Sequence, residues 1–351
     1  MSEIAHFILE ALDDRRQIAP IAGAQPTFGL AEAYAASDAI LAARIARGER
    51  PAGWKIGFTN RTIWDEYGVH APIWGPMYDA TIHEWASADT PIQLDADDFV
   101  EPRIEPEIVF RLARTPRGDM DVSDLIGCID AVGHGFEIVQ SLFPGWRFKA
   151  ADTVAAFALH GALVHGPMHP IAYEDRSTWV RQLADFRITL FKDGEAVDTG
   201  ASENVLGGPL SALRHFVRGM EQAPMARGIL PGDLVTTGTV TRAFPVKAGE
   251  TWTTTLDGLP LPGMSLQFAA PFGPEIALWI ERCANARFLF ETPPASANDT
   301  EYQAAVELRV EAETALSTLL FHDRAALERA RAAVRRRTTA LANGWRRSNG
   351  A

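Results

Sequence analysis

Between Arg103 and Phe110 the chain reads Arg-Ile-Glu-Pro-Glu-Ile-Val-Phe, and this octapeptide restricts the fold more than any other stretch. Its β-branched and aromatic residues predict a strand over 104–112. Strand side chains alternate between faces, so Glu105 and Glu107 project together while Ile104, Ile108 and Phe110 call for apolar surroundings. Two carboxylates held side by side repel, so they require a shared proton, an arginine or a hard cation that prefers oxygen ligands. Alone, a Glu-x-Glu pair is more often a solvated strand face. Pro106 cannot donate to a ladder, which predicts an edge or an irregular strand end.

A third acid, Glu137, lies in His134-Gly-Phe-Glu-Ile-Val139, a setting too apolar for a bare charge. Three carboxylates with waters or a bidentate ligand would satisfy six-coordinate Mg2+ or Mn2+. His134 reads as a hydrogen-bonded structural histidine, with a ligand role as the alternative. Lys55 stands between glycines in Gly53-Trp-Lys-Ile-Gly-Phe-Thr59. It either snorkels to solvent or is held near a carboxylate for proton transfer or anion stabilisation. Asp79, closing Gly75-Pro-Met-Tyr-Asp79, is a turn residue or a further acid.

The formal charge of -12 argues against the broad basic surface that nucleic acid or an anionic membrane attracts. An acidic body also repels small anionic substrates, so an acid ligand needs a local lysine or cation. Cys128 and Cys283 are too few for a disulfide framework and read as core residues in a reducing compartment. The first twelve residues carry no secretion pattern, and no apolar run approaches the ~20 residues that cross a bilayer. A cytoplasmic protein is expected.

Apolar spacing predicts a helix over 30–47. Strands are expected at 186–191, 233–241 and 251–256, with a hairpin at Asp193-Gly194. Residues 292–299 have linker composition. A helix capped by Thr300 and Gln303 follows over 304–320, then a basic helix from Asp323 toward a stop at Asn343-Gly344. The expected organisation is a helical segment with the lysine loop over 1–80, a strand-rich core over 81–275 and a helical extension over 276–351. The fold class is α/β (α+β).

In order and spacing, these segments resemble the 2-oxopent-4-enoate hydratase and 4-oxalocrotonate decarboxylase family of the fumarylacetoacetate hydrolase-like superfamily. The resemblance rests on Gly53 to Thr59, Glu105, Glu107, Glu137-Ile-Val139, Asp152-Thr-Val154, Leu206-Gly-Gly-Pro-Leu210, Gly232-Asp-Leu-Val235, Thr237-Gly-Thr239 and Pro245 to Gly249. It implies a mixed β core with N-terminal helices. It also implies metal ligation by Glu105, Glu107 and Glu137, a catalytic Lys55 with Asp79 beside it, substrate contacts at Gly238, Thr239 and Leu206, and homo-oligomerisation. After Ala155 the family continues Asp-Asn-Ala-Ser, whereas Ala156-Phe-Ala-Leu159 stands here, and His160 is the candidate replacement acid or donor.

The implied activity is metal-dependent hydration of a 2-hydroxy-2,4-dienoate to a 4-hydroxy-2-oxo acid in aromatic catabolism. Three alternatives stand beside it: decarboxylation of a 2-oxo-3-enedioate, acylpyruvate-type hydrolysis, for which the sequence offers no convincing Glu-His dyad and His83-Glu84 is a decoy, and a non-catalytic binding role. The helical extension has no counterpart in that resemblance and reads as a hairpin with a packing role.

Overall fold

The structure is a computed structural model that describes residues 2–67, 69–85, 92–223, 225–292 and 299–349. Among them fourteen strands form, in chain order β1 (Pro51–Gly57), β2 (Ile73–Tyr78), β3 (Ile82–Glu84), β4 (Ile92–Leu94), β5 (Arg103–Leu112), β6 (Ile129–Val139), β7 (His160–His165), β8 (His169–Pro170), β9 (Arg187–Lys192), β10 (Glu195–Ala201), β11 (Leu234–Thr239), β12 (Phe244–Pro245), β13 (Thr251–Asp257) and β14 (Ser265–Phe268). Nine build a mixed sheet ordered β2-β1-β11-β5-β6-β7-β3, with β12 beside β5 and β8 beside β6. Five build a second sheet ordered β10-β9-β13-β14-β4.

Strands β5 and β6 are buried over most of their length because both faces of the large sheet are covered. On one side lies the helix Pro209–Gln222, whose Leu210, Leu213, Val217 and Met220 follow helical spacing and whose Pro209 suits a first helical position. These residues pack with Phe216 into the cluster that holds Trp54, Ile56, Phe110 and Val235. Ile104, Phe136 and Ile138 enter a second cluster with Trp252, Leu266 and Phe268 of the smaller sheet. Each such side chain, fully buried, contributes roughly 1.5–3 kcal/mol.

A polar staple crosses the sheets at His134. Its Nδ1 lies 2.9 Å from the Glu107 carbonyl and its Nε2 lies 2.8 Å from Thr254 Oγ1 on β13. A carbonyl only accepts, so Nδ1 carries the hydrogen, and the neutral ring accepts from the Thr254 hydroxyl at Nε2. The same hydroxyl accepts from Met264 N at 3.0 Å. His134 is thus a satisfied core residue, as the sequence suggests.

The predicted strands and the helix Leu30–Ala46 form within a residue or two of expectation. Asp193 and Gly194 both take positive φ in the β9–β10 hairpin, the geometry an Asp-Gly turn supplies. Pro106 departs from the expected edge: β5 is internal, paired with β11 and β12 on one side and β6 on the other. Its carbonyl accepts from Val240 N, so its missing donor faces the irregular junction between β11 and β12. No ladder bond is lost there. Both cysteines are free and buried.

The chain divides into two compact units, Met1–Leu9 with Arg16–Ala269 and Glu10–Arg15 with Ala270–Ala351. The second holds three helices, Pro274–Glu291, Asp299–Leu319 and Arg324–Asn349, rather than a hairpin. Most of the expected linker, 293–298, lies outside the described residues. Thr300 falls inside a helix that has already begun at Asp299, so it is not the cap. Asp323 is one, since its Oδ1 accepts from Ala326 N at 2.9 Å. The last helix runs past Asn343-Gly344 to Asn349, and the Asn343 amide bonds the Asp14 carboxylate. No described helix is long and apolar enough to cross a membrane.

Burial lowers the His134 pKa to about 4. The folded state therefore favours the neutral ring, so this stabilisation is complete above pH ~6.5 and declines as pH falls toward 4. Urea titrations of the wild type and His134→Gln at pH 7 and pH 4.5 should show the wild type losing about 2–3 kcal/mol more than the variant. Equal losses would show that the ring does not titrate on unfolding.

Candidate metal and catalytic site

Strand register assembles one row of charge across the large sheet. Antiparallel pairing of β5 with β6 sets Glu105 directly opposite Glu137, and parallel pairing of β1 with β11 sets Lys55 beside Thr236. Carboxylate oxygens of Glu105, Glu107 and Glu137 all lie within 4.8 Å of one another. The Lys55 ammonium reaches into them, 3.2 Å from Glu137 Oε2 and 3.7 Å from Glu105 Oε2. Its side chain is only 4 % exposed, which rules out snorkelling.

Burial drives Glu105 up to about 7, with Lys55 opposing. For Glu107, burial and the charges on Glu137 and Glu105 push its pKa well above the ordinary range. Burial works against ionised Glu137 too, yet Lys55 and a hydrogen bond from His160 outweigh it and hold its pKa low. Lys55 loses charge preference to burial, but the three carboxylates more than restore it and raise its pKa. In the metal-free chain Lys55 is therefore a cation at neutral pH.

Glu107 is held at one end only. Its Oε2 accepts from Gly238 N at 2.6 Å, whereas its buried Oε1 has no protein partner. The amide points inward because β11 bulges between Thr236 and Thr239. Gly238 there has φ +94°, and a Cβ would sit 1.8 Å from Thr59 Oγ1, so only glycine fits. A carboxylate oxygen that meets no hydrogen-bond donor, beside two further carboxylates, is a donor set suited to a hard divalent cation.

His160 stands behind Glu137. Its Nδ1 lies 2.8 Å from Glu137 Oε1, and Thr81 Oγ1 lies 2.9 Å from its Nε2. Burial lowers its pKa. It orients a carboxylate rather than facing the cavity, as outer partners of metal ligands do. Thr81 and Thr236, whose hydroxyl lies 3.4 Å from Glu137 Oε2, belong to this shell and went unread in the sequence. The signal for Thr236 was its place in the Thr-Thr-Gly-Thr motif ending at Thr239.

Other expected residues are placed elsewhere. Asp79 opens a short turn at the end of β2, its Oδ2 2.8 Å from Arg50 Nε. Lys55 pairs with Gly75, four residues back, so Asp79 is about 13 Å away along the strand. Leu206 is a core side chain whose backbone N donates to Thr59 O at 3.0 Å, so it supports the Thr59 loop without lining the cavity. His83 and Glu84 are successive residues of β3 and project from opposite faces, so they form no dyad. Thr239 and Gly238 do line the cavity, together with Lys55, Glu105 and Arg103.

Carboxylates from paired strands around a buried lysine, on this mixed sheet, are the donor set of a metal-dependent enzyme. No family model matches the sequence. The chain is 30% identical over 257 residues to a 2-hydroxyhexa-2,4-dienoate hydratase of Comamonas testosteroni, covering 72% of this chain and 92% of the relative. It is 29% identical over 210 residues to a 4-oxalocrotonate decarboxylase of a Pseudomonas species, covering 60% and 76%. The solved 4-oxalocrotonate decarboxylase of Pseudomonas putida G7, complexed with magnesium and adipate, superposes with TM-score 0.68 at 26% identity over 76% of this chain and 95% of that one. The chain belongs to the hydratase and decarboxylase family of these relatives.

Glu107→Gln keeps the shape of a group that burial already drives toward its neutral form, so the metal-free protein should be as stable as wild type. Mn2+ at about 100 times its Kd should stabilise the wild type by about 2.7 kcal/mol and the variant by less than about 1 kcal/mol. Thermal unfolding with and without Mn2+ measures both. Full Mn2+ stabilisation of the variant would remove Glu107 from the ligand set.

Proposed function

We propose that this lyase is a divalent-metal-dependent hydratase that converts a 2-hydroxy-2,4-dienoate to a 4-hydroxy-2-oxo acid. The observation that carries the reading is the buried Lys55 ammonium among three carboxylates, one with an orphaned oxygen. Glu105, Glu107 and Glu137 would hold Mg2+ or Mn2+. Such an ion, when bound, acts as a Lewis acid toward the substrate's 2-oxygen.

The residues of the chain account for the rest. Lys55 offers N–H donors and a fixed charge where the dienol loses its hydroxyl proton, in surroundings dry enough to strengthen both. Ketonisation returns one proton to C5. Water then adds across the remaining double bond, its oxygen to C4 and a proton to C3. Glu105, with a pKa near 7 in the metal-free chain, lines the cavity next to this path. His160 and Thr81 hold Glu137 from behind, a positioning role. Asp79 has no part in this scheme because Arg50 holds it elsewhere.

A carboxy-lyase is the second reading, favoured by the structural likeness to the decarboxylase and by the fact that both reactions pass through the same dienolate. On the main reading the enzyme is a cytoplasmic homo-oligomer in aromatic catabolism, taking a small 2-oxo acid and no nucleic acid. Catalysis belongs to 1–80 and 81–275, and 276–351 is an added helical extension.

EDTA-stripped protein should not turn over 2-hydroxypenta-2,4-dienoate, and Mg2+ or Mn2+ should restore 4-hydroxy-2-oxopentanoate formation, followed by ultraviolet absorbance and NMR. Lys55→Met should lower kcat at least 100-fold with Mn2+ binding retained. Metal-independent turnover, or a fully active Lys55→Met, would sink the reading.

A further inference from the structure

The cavity beside Lys55 and Glu105 has a volume of about 70 Å3 and is partly open to solvent. Its polar lining includes Lys55, Thr59, Asn60, Arg103, Glu105 and Thr239. Much of the remaining wall is aromatic, in one chain of contacting rings: Phe58 to Tyr67 at 5.6 Å, Tyr67 stacked on Phe148 at 5.1 Å, and Phe148 to Trp146 at 6.0 Å, every one of them lining the cavity. The Trp146 indole N–H already donates to Glu101 O at 3.1 Å, so that ring turns no donor of its own to a ligand.

Leu159 completes this wall from a strained support. Phe157, Ala158 and Leu159 take φ of 62°, 51° and 66°, three successive non-glycine residues in the left-handed region. Such backbone persists only where its surroundings enforce it, and it concentrates at ligand sites. Here it carries Ala158 and Leu159 to the cavity surface.

Resting on the proposed hydratase reading, we infer that this wall is a subsite for a bulky apolar tail, and that the preferred substrate is a 2-hydroxy-2,4-dienoate bearing an aryl group at C5. An unsubstituted dienoate would leave the ring wall in water. A second carboxylate would meet carbon on most sides. Arg103 is the one cation besides Lys55 among the described residues that line the cavity, and it is engaged by Glu105 and the Trp146 ring. It lies two residues before Glu105 on the same face of β5, helps ionise that acid, and stacks 4.1 Å over the Trp146 ring.

The test compares kcat/KM of the Mn2+-loaded full chain for 2-hydroxypenta-2,4-dienoate, its 5-phenyl derivative and 2-hydroxyhexa-2,4-dienedioate. The phenyl compound should be favoured at least tenfold over each of the others, chiefly through KM, the scale on which apolar pockets discriminate. Phe148→Ala and Leu159→Ser should each erase most of that preference while changing kcat/KM for the parent less than about threefold. Turnover of the parent without a phenyl preference, or preference for the dicarboxylate, overturns the subsite and leaves the hydratase reading standing. Calorimetric titration with the saturated 2-oxopentanoate and 2-oxo-5-phenylpentanoate is independent of turnover. Tenfold tighter binding of the phenyl acid supports the subsite even if no substrate reacts, an outcome that would sink the hydratase reading alone. Equal affinities overturn the subsite.

Discussion

Glu105 and Glu137 face each other across an antiparallel pair, the arrangement in which like charges repel most directly, with Glu137 fully buried and Glu105 at the cavity wall. Everything around the site answers to that repulsion. Lys55 comes from two strands away to stand between the carboxylates. Gly238 turns an amide to Glu107, and His160 and Thr81 brace Glu137 from behind. Since β1, β11, β5 and β6 must lie side by side for these groups to meet, the site depends on the sheet order as much as on any single residue.

The compensation is incomplete in the protein alone. Glu107 Oε1 stays unpaired, and burial drives both Glu105 and Glu107 toward their neutral forms. Replacing a buried charged network by apolar groups is often neutral or stabilising, so this cluster is better understood as a device for function than as a source of stability. Stability comes instead from the two apolar clusters on either side of the large sheet and from the neutral His134 that ties the sheets together.

Much of this was legible in the sequence because the site is written in short periods. Alternation along a strand put Glu105 and Glu107 on one face, and an isolated lysine and glutamate in apolar runs pointed to partners. What could not be read was register. Nothing local says that Glu137 falls opposite Glu105, or that Asp79 lies four residues from the position that pairs with Lys55. Asp79 is drawn off by Arg50, an exposed partner with no motif of its own. The ring wall was also invisible: Phe58, Tyr67, Trp146 and Phe148 come from separate loops and short turns, where no periodic pattern marks a shared surface.

The unpaired oxygen of Glu107 has a consequence for the life of the protein in a cell. On the proposed reading the folded chain is completed by an ion that its unfolded form cannot bind as well, so the fraction folded follows the supply of that ion. Differences of 1–2 kcal/mol change steady-state abundance several-fold once proteases sample the unfolded population. The same carboxylate that equips the site would thus make the amount of enzyme, and not only its turnover, a readout of metal availability.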